Sequence, residues 1–372
     1  MKICLVEPFM TGSHATWAAE FARFSRHQVD LLTLDGRYWK WRMHGGAIQL
    51  AEQFRAQQSA PDLLLASDML DLTTFLALTR SQTASLPTAL YFHENQLTYP
   101  WSPHDEDPGQ RRDVHYGFIN YASALAADAV LFNSGYHQSA FLEALPGFLN
   151  SFPDYTGLET IPFIAAKSYT LPLGLDLQRL DRARPQEIDR PNQKPLLLWN
   201  HRWEYDKNPE DFFHALFQLK DEGIAFEVAV LGETYRNNPA IFTEAQQRLG
   251  KKLIHCGFVE DFDSYAAWLW RADILPVTAI HDFFGASVVQ AIYCNTTPLL
   301  PNRLAYPEHL PEEAHAACLY HGTEELLSRL RALLQDKAWH QPPVDLRTKV
   351  AGYDWQQLVP QYDDLLERLV AR

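Results

Sequence analysis

The feature that most constrains the fold is a rhythm that occurs twice along the chain. Short runs rich in leucine and β-branched residues are each followed by an amphipathic stretch of helical length, which is typical of parallel strands covered by helices on both faces. The runs of the first half are Lys2–Val6, Gln28–Leu34, Asp62–Ala66, Thr88–Phe92, Ala129–Phe132 and Tyr169–Leu173. Those of the second half are Pro195–Trp199, Phe226–Leu231, Leu253–Phe258, Ile274–Val277, Thr297–Leu300 and Ala317–Tyr320. The sequence therefore predicts an α/β protein with two doubly wound, Rossmann-like domains.

A polar, proline-bearing stretch, Leu177–Lys194, separates the two series and has the composition of a linker. We expect an N-terminal domain over residues 1–178, a linker over 179–194, a C-terminal domain over 195–345 and a helical tail over 346–372. A length of 372 residues agrees with two domains. Two such domains are expected to face each other across a cleft at the carboxyl ends of their strands, where this kind of fold binds ligands.

The composition limits the possible partners. A net charge of −14 argues against non-specific coating of nucleic acid, because that needs an excess of cations, although a local basic face stays possible. The four cysteines are far apart without CxxC spacing, so we expect reduced thiols and a cytoplasmic protein. No apolar run has the length of a secretory signal or a membrane span, and we expect no membrane partner. No sequence pattern bears on oligomeric state.

Two segments of the first half follow predicted strands. Gly12–His14 forms a glycine-bearing turn ahead of a helix, where backbone N–H groups can bind an anion or a sugar hydroxyl. His93–Asn95 follows the strand Thr88–Phe92, at the edge where α/β folds keep their chemistry. The simpler interpretations are a flexible turn for the first segment and a capped loop with a structural histidine for the second. The functional interpretation is that the two segments lie on neighbouring loops of one sheet edge and bind an acceptor.

Two segments of the second half carry charged side chains after strands. Arg202 and Lys207 follow the strand Pro195–Trp199, and two fixed cations there suit a diphosphate leaving group. The alternative is a surface ion pair with Glu204 or Asp206. In the segment 282–295, Gly285 lets backbone approach a ligand, Ser287 can begin a helix, and Gln290 can reach ribose hydroxyls.

The segment 282–290 resembles the acid-Gly-Phe-Gly…Glu signature of the family-4 retaining glycosyltransferases. Asp282 and Gln290 stand where the signature usually has two glutamates; aspartate is shorter, and glutamine keeps hydrogen bonding but loses the charge. Further segments resemble the tRNA-queuosine alpha-mannosyltransferase family, in the same order over nearly the whole chain. They are Phe9–His14, Tyr38–Arg42, Tyr91–Pro100, His201–Glu204 with Asp206–Lys207, Val230–Thr234 and His281–Gly285. The most specific of them is Phe-His-Glu-Asn-Gln followed by Tyr-Pro.

The resemblance implies a GT-B fold, GDP-mannose as the donor, and transfer of mannose with retention onto queuosine in a tRNA anticodon loop. It implies no cofactor and no obligatory metal, since Arg202 and Lys207 take the place of a metal at the diphosphate. The implied catalytic residues are His93, Arg202, Lys207 and Asp282. The implied donor contacts are Gly12, Gly232, Glu233, Phe258, Val259, Phe284, Gly285, Ala286 and Gln290. The implied acceptor contacts are Ser13, His14, Lys40, Arg42, Glu94 and Asn95.

The segment Arg37–His44 alternates cations with aromatic residues, which suits phosphate contact and stacking on an unpaired base. An amphipathic stretch with solvated charges is the alternative. With the resemblance we favour RNA, and we expect Lys40→Ala and Arg42→Ala to weaken tRNA binding. We also expect Arg202→Ala and Lys207→Ala each to lower turnover without unfolding the protein.

Two other functions stay open at this point. One is a GT-B glycosyltransferase with another donor, or with a lipid, glycan or small-molecule acceptor; a lipid acceptor is disfavoured because no clear membrane-facing helix is present. The other is a catalytically idle binder of nucleotide sugars or RNA, which the substituted acid pair allows.

Overall fold

The computed structural model describes residues 1–57, 60–103, 105–110, 114–187, 194–232, 239–337, 339 and 344–371. The chain divides into two compact units. The first contains residues 1–175 together with 355–372, and the second contains residues 176–354.

The first unit is a six-stranded parallel sheet with helices between its strands. The strands are β1 Lys2–Met10, β2 Gln28–Asp35, β3 Leu63–Ser67, β4 Thr88–Phe92, β5 Ala129–Phe132 and β6 Ser168–Thr170. The helices are α1 Gly12–Phe24, α2 Trp39–Arg55, α3 Leu72–Leu78, α4 Arg80–Thr83, α5 Val114–Ala126, α6 Gly135–Leu149 and α7 Ile161–Ala166. The strand order is β2-β1-β3-β4-β5-β6, and the neighbouring strands pair in parallel.

The strands β3, β4 and β5 are buried along their whole length, as expected for central parallel strands covered on both faces. Chain connections run in opposite directions from β1 and β3, which are neighbours in the sheet. Such a switch point opens a crevice at the carboxyl ends of the two strands, and open α/β sheets bind ligands there. A ligand site is therefore expected in the segments after β1 and β3.

The second unit repeats this architecture with a different strand order. Its strands are β7 Leu196–Trp199, β8 Glu227–Val230, β9 Leu253–Cys256, β10 Ile274–Pro276, β11 Thr297–Pro301 and β12 Leu319–Tyr320. Its helices are α8 Leu177–Arg182, α9 Pro209–Asp221, α10 Ile241–Leu249, α11 Phe262–Arg271, α12 Ala286–Tyr293, α13 Glu312–Cys318, α14 Gly322–Asp336 and α15 Leu346–Ala351. The order β12-β11-β10-β7-β8-β9 is that of a Rossmann fold, with its switch point between β7 and β10.

A further helix, α16 Trp355–Val370, belongs to the first unit although it follows the second in sequence. Trp355 is completely buried and its indole N–H donates to Glu20 Oε2 at 2.8 Å. Its ring lies directly against Gly174, where a Cβ atom would come within 2.4 Å of the ring. The backbone N–H of Trp355 donates to Leu175 O at 3.0 Å, which fixes the beginning of the helix.

The structure confirms the two Rossmann-like domains and corrects two predicted segments. Leu177–Arg182, within the predicted linker stretch, is helix α8, because Asp176 caps it by accepting the N–H of Arg179. Residues 188–193 of that stretch lie outside the described residues. The predicted tail over 346–372 consists of α15 and α16, which belong to different units. Among the described helices, none combines the length and hydropathy needed to cross a bilayer.

Candidate functional site

The switch point of the second unit brings together the segments after β7 and β10. The segment after β7 ends in a single turn, Tyr205–Lys207, and then in Asn208, whose left-handed backbone (φ 50°) begins helix α9. The segment after β10 is tied to this turn, since the N–H groups of Ile280 and His281 donate to Asp206 O at 2.8 and 3.3 Å. Side chains from positions about 75 residues apart in sequence therefore meet at one edge of the sheet.

Lys207 lies at the centre of this edge and is almost completely buried. Its Nζ donates to His281 O at 3.0 Å and lies 3.1 Å from Asp206 Oδ2 and 3.3 Å from Asp282 Oδ2. Burial alone would lower the pKa of Lys207, but Asp282 and Asp206 raise it above its usual value. Burial alone would raise the pKa of Asp282, but Lys207 lowers it below its usual value. Both groups are therefore charged at neutral pH, and the cation is held in place.

The segment that contains Asp282 is supported by two residues that sequence reasoning missed. The hydroxyl of Tyr306 donates to Asp282 Oδ2 at 3.2 Å. His309 Nε2 lies 2.5 Å from Phe284 O, and because burial lowers the pKa of His309, its neutral ring donates this bond as an N–H. Gly285 follows with a left-handed φ of 85° and begins helix α12. Tyr306 and His309 precede α13, far along the chain, and no local pattern marks them.

The beginning of α12 is joined to the end of β7 by side-chain hydrogen bonds. Asn200 Nδ2 donates to Ser287 O at 2.8 Å, and Ser287 Oγ lies 3.1 Å from His201 Nδ1. Burial and the nearby Lys207 lower the pKa of His201 to about 4, so this ring is neutral. Gln290, in the same helix, accepts a hydrogen bond from the hydroxyl of Tyr265 at 2.8 Å. The N–H groups at the beginning of a helix are suited to bind an anion.

The remaining predicted donor residues have different environments. Arg202 is half exposed, and its Nη2 forms an ion pair with Glu204 at 3.2 Å. Gly232 (φ 121°) passes so close to β7 that a Cβ atom would come within 2.0 Å of His201 O, so only glycine fits there. Phe258 is 58% exposed and Val259 is half-buried; both follow β9 at the edge of the sheet. Glu233 lies outside the described residues.

The switch point of the first unit joins Glu7 and His14 to His93. His14 Nδ1 lies 3.0 Å from Glu7 Oε2, and the ring centroids of His14 and His93 are 4.1 Å apart. Burial alone would lower the pKa of His14, but Glu7 raises it to about 9, so this ring is an imidazolium. Burial and His14 lower the pKa of His93 well below its usual value, so this ring is neutral. Its buried Nε2 has no hydrogen-bond partner among the residues that the structure describes.

Asp68, which follows β3, is a further member of this cluster that sequence reasoning missed. It is completely buried, and its Oδ1 accepts the backbone N–H of His93 at 2.7 Å. Within the described part of the chain its Oδ2 has no hydrogen-bond partner. Burial raises the pKa of Asp68 well above its usual value. The charge of His14 opposes this increase, and the charge of Glu94 adds to it. The predicted His14, His93 and Glu94 therefore surround a carboxyl group that only the strand order brings to them.

Three atoms of this cluster have the chemistry of a metal site. Glu7, His14 and His93 each offer one ligand atom, and these atoms lie within 4.8 Å of one another. Both oxygens of Glu7 already have partners, since Oε1 accepts the N–H of Phe9 at 2.7 Å and Oε2 contacts His14. Hydrogen bonding therefore accounts for the position of Glu7.

The predicted acceptor residues outside the cluster are partly engaged elsewhere. Asn95 Oδ1 accepts the N–H groups of Leu97 and Thr98, so this side chain shapes its own turn. Lys40 Nζ contacts the carboxylates of Asp105, at 2.7 Å, and Asp107. Two neutralising carboxylates weigh against the predicted contact between Lys40 and phosphate.

The other four predicted site residues of the first unit are Glu94, Arg42, Gly12 and Ser13. Glu94 Oε1 accepts the side-chain amide of Gln96 at 2.8 Å, and Arg42 Nε donates to Asp35 O at 2.9 Å. Gly12 begins α1 with a φ of 53°, and Ser13 is exposed beside it.

The fold is similar to that of solved glycosyltransferase structures. Sucrose-phosphate synthase from Thermosynechococcus elongatus superimposes with a TM-score of 0.74 at 17% identity, covering 100% of this chain and 99% of that one. Anabaena Alr3699/HepE, solved in complex with UDP and glucose, gives a TM-score of 0.66 at 14% identity, covering 99% of this chain and 100% of that one. The predicted GT-B fold is confirmed.

Sequence similarity extends over both units. A family profile described as tRNA-queuosine alpha-mannosyltransferase N-terminal matches residues 2–175, and one described as Glycosyl transferases group 1 matches residues 181–351. A GDP-mannose-dependent alpha-(1-6)-phosphatidylinositol dimannoside mannosyltransferase of Mycobacterium tuberculosis is 24% identical over 199 residues, 52% of this chain and 50% of that protein. A Drosophila melanogaster protein named tRNA-queuosine alpha-mannosyltransferase is 32% identical over 378 residues, 99% of this chain and 97% of that protein. The chain therefore belongs to the tRNA-queuosine alpha-mannosyltransferase family.

Proposed function

We propose that the protein transfers mannose from GDP-mannose, with retention of configuration, to queuosine in the anticodon loop of a tRNA. The family and the name of the Drosophila relative support the reaction and the acceptor. The name of the Mycobacterium relative, which is similar over half of the chain, supports GDP-mannose as the donor. The bond between the anomeric carbon and the phosphate oxygen breaks, and GDP leaves with the electron pair. The acceptor hydroxyl forms the new glycosidic bond and passes its proton to the departing diphosphate.

The buried ammonium group of Lys207 at the switch point of the second unit is the observation that carries this proposal. Negative charge develops on the diphosphate as GDP leaves, and a fixed cation stabilises that charge in the transition state. Asp206, Asp282 and His281 O fix the position of this ammonium group. We propose that Arg202 acts with Lys207, and that the beginning of α12 binds the same diphosphate through backbone N–H groups.

In the first unit, we propose that the neutral His93 orients the transferred sugar or the acceptor hydroxyl. Its unpartnered Nε2 supports this role, because a buried ring nitrogen without a hydrogen bond costs free energy until a ligand supplies one. The imidazolium of His14 is suited to contact an oxygen atom of a substrate. We propose that the reaction needs no metal, since Lys207 and Arg202 supply the positive charge at the diphosphate.

The test uses the whole protein with radiolabelled GDP-mannose and tRNA that contains or lacks queuosine, with and without EDTA. We expect label only in the queuosine-containing tRNA, at the same rate with the chelator. Equal label without queuosine would reject the acceptor, loss of activity in EDTA would reject a metal-free reaction, and no label in any tRNA would favour an idle binder. Arg202→Ala is expected to lower kcat about 100-fold or more. Arg182→Ala, at an exposed arginine that is paired with Asp176, is the matched control.

We propose that the protein acts in the cytoplasm. Its four cysteines are free thiols, as expected in a reducing compartment. Burial raises the pKa of Cys318 to about 11, so this thiol is unreactive at neutral pH. Fractionation of cells that contain the protein at its natural level tests this location, and recovery from an oxidising compartment would contradict it.

A further inference from the structure

Two large aromatic side chains are exposed at the beginning of helix α2. Tyr38, which immediately precedes the helix, is 79% exposed, and Trp41 in its first turn is 64% exposed. Residues three and four apart share one face of a helix, so Tyr38, Trp41, Arg42 and Gly45 lie on the same side. We call Tyr38 and Trp41 the aromatic pair. Two exposed side chains of this size at the beginning of one helix indicate an interaction surface rather than the ordinary scatter of apolar residues.

The local backbone favours this arrangement of the aromatic pair. Tyr38 has a left-handed conformation (φ 54°, ψ 59°), which residues with a Cβ atom seldom adopt. The ring of Trp41 lies along the helix over Gly45, where a Cβ atom would come within 2.6 Å of Trp41 Cζ2. Glycine in the interior of a helix is unfavourable, so its presence at position 45 needs a reason, and room for the indole ring is one.

The residues just before the aromatic pair pack against the turn that carries the predicted acceptor residues. Gly36, two residues before Tyr38, packs on Thr11 so closely that a Cβ atom would come within 2.3 Å of Thr11 Cβ. Thr11 immediately precedes Gly12, and His14 follows three residues after Thr11. A cavity of about 360 Å³ opens at the carboxyl ends of β1 and β2, lined by Met10, Thr33, Leu34, Asp35 and Arg42. This volume lies within the range of small-molecule sites.

The charges around the aromatic pair indicate what binds there. Arg37 and Arg42 flank it in sequence, and guanidinium groups bind phosphate oxygens in a bidentate manner. Arg42 is also held at the edge of the cavity by its hydrogen bond to Asp35 O. Lys40 points instead to Asp105 and Asp107 and stabilises that loop. Flat rings between two arginines fit a single-stranded nucleic acid, in which unpaired bases stack on aromatic side chains.

We propose that Tyr38 and Trp41 stack on unpaired bases of the anticodon loop that adjoin the queuosine, while Arg37 and Arg42 contact the phosphates of those nucleotides. This inference rests on the proposed function, because it requires an RNA acceptor. The aromatic pair thereby contributes affinity for the acceptor and none for the donor. The pair also lets the protein discriminate between tRNA and free queuosine, since only the tRNA supplies neighbouring bases.

The first test compares Tyr38→Ala and Trp41→Ala with the wild type in binding of queuosine-containing tRNA and, separately, of GDP-mannose. We expect each variant to bind tRNA roughly 5- to 150-fold more weakly, the range for loss of one stacked base, with unchanged GDP-mannose binding. Tyr155→Ala is the matched control, because Tyr155 is 99% exposed and also has a positive φ of 46°. That variant is expected to bind tRNA like the wild type.

Gly45→Ala separates RNA binding from folding. The new methyl group is favourable for the helix, so the midpoint of urea unfolding should stay the same or rise. It also displaces the ring of Trp41, so tRNA affinity should fall while donor affinity stays unchanged. An effect on tRNA binding without loss of stability cannot come from misfolding.

The outcomes separate this inference from the proposed function. A wild-type protein that neither binds nor modifies any tRNA would remove both. A wild-type protein that mannosylates tRNA, together with Trp41→Ala and Gly45→Ala variants that bind it with unchanged affinity, would remove the aromatic pair alone. If the Trp41→Ala variant bound tRNA normally but had a smaller mass in sedimentation, the pair would be a contact between protein copies, and the RNA assignment would be overturned.

Discussion

Lys207 connects stability to chemistry at the level of a single side chain. Its ammonium group lies between the buried Asp206 and the partly buried Asp282. Removing one partner of a buried ion pair leaves uncompensated charge, which typically costs about 3 to 5 kcal/mol. We therefore expect Lys207→Ala to lower both turnover and the free energy of unfolding, which revises the expectation that it acts on turnover alone.

Urea unfolding and single-turnover kinetics of Lys207→Ala and Lys207→Arg measure the two effects. The arginine variant keeps the charge and should recover much of the stability, but it should recover turnover less well because the guanidinium group is larger. An unchanged urea midpoint for Lys207→Ala would contradict this description of the site.

His14 predicts how stability depends on pH. Its pKa in the folded protein is about 9, above the usual value of about 6.5 for an unfolded chain. The stabilisation is therefore fully present below pH 6.5 and is lost as the pH rises through about 9. His201 and His281, with pKa values of about 4 because burial and Lys207 lower them, act in the opposite sense, and their stabilisation is lost as the pH falls from 6.5 towards 4. The contribution of these three histidines to stability should be greatest near pH 6.5.

Urea titrations between pH 5 and 10 check this profile. His14→Gln should flatten the decline above pH 6.5 and leave the acid side unchanged. His44→Gln, at an exposed histidine, is the control and should reproduce the wild-type curve. A decline above pH 6.5 that persists in His14→Gln would assign it to another group.

Several site residues could be predicted because each lies in the segment that follows a strand. His93 comes directly after β4, whereas Lys207 and Asp282 lie in the segments after β7 and β10. Parallel strands place such segments at the carboxyl edge of their sheet. Asp68 also follows a strand, but a lone Asp after an apolar run has no distinctive pattern. Tyr306 and the carboxylates that neutralise Lys40 reach their partners only through the tertiary fold, since Asp105 is 65 residues from Lys40.

At the scale of elements, the loop after β8 illustrates why one glycine is indispensable. Gly232 has a φ of 121° and no room for a Cβ atom beside His201 O. Gly232→Ala should lower the free energy of unfolding by at least about 1 to 3 kcal/mol, from the strained backbone together with the clash. Gly223→Ala is the matched comparison, because its φ is also positive (77°) but nothing lies within 4 Å of the added atom.

The difference between these two variants in urea unfolding isolates the cost of the clash. Equal losses of stability would show that the segment containing Gly232 moves away from His201 easily. The close approach between these two segments would then be unimportant. The glycine could be predicted as a donor-loop residue from the resemblance, but its steric role depends on a strand that lies about 30 residues earlier.

Buried strands could be predicted well because a short run of apolar, β-branched residues strongly favours a strand over other structures. Thr88–Phe92 and Ala129–Phe132 have the predicted bounds. Helix α8 could not be distinguished from a linker, because its six residues contain four charged or polar side chains and its stability depends on the cap from Asp176 and on burial of Leu177 and Leu180. The hydrophobicity pattern alone therefore does not predict this helix.

At the scale of the whole molecule, α16 predicts that the two units respond differently to one substitution. Trp355 is completely buried and contacts the rings of Phe21 and Tyr362 in the first unit. Trp355→Ala should cost about 3 to 5 kcal/mol, as for other buried aromatic residues. Hydrogen exchange measured by mass spectrometry should rise in peptides from residues 1–175 and stay constant in those from 176–354. Trp41→Ala, at an exposed tryptophan, should change neither, whereas a uniform rise with Trp355→Ala would contradict the division.

The position of α16 also has a consequence for biosynthesis. Trp17 and Tyr91 flank His93, and the hydroxyl of Tyr362 contacts both of them, at 3.3 Å from Trp17 Nε1 and 3.0 Å from the Tyr91 hydroxyl. A ribosome delivers these aromatic residues of the N-terminal domain long before it delivers the helix that covers them. The aromatic face of the nascent first domain therefore stays uncovered until the second domain and α16 have been translated. The aromatic surroundings of His93 are therefore complete only after Tyr362 has been translated.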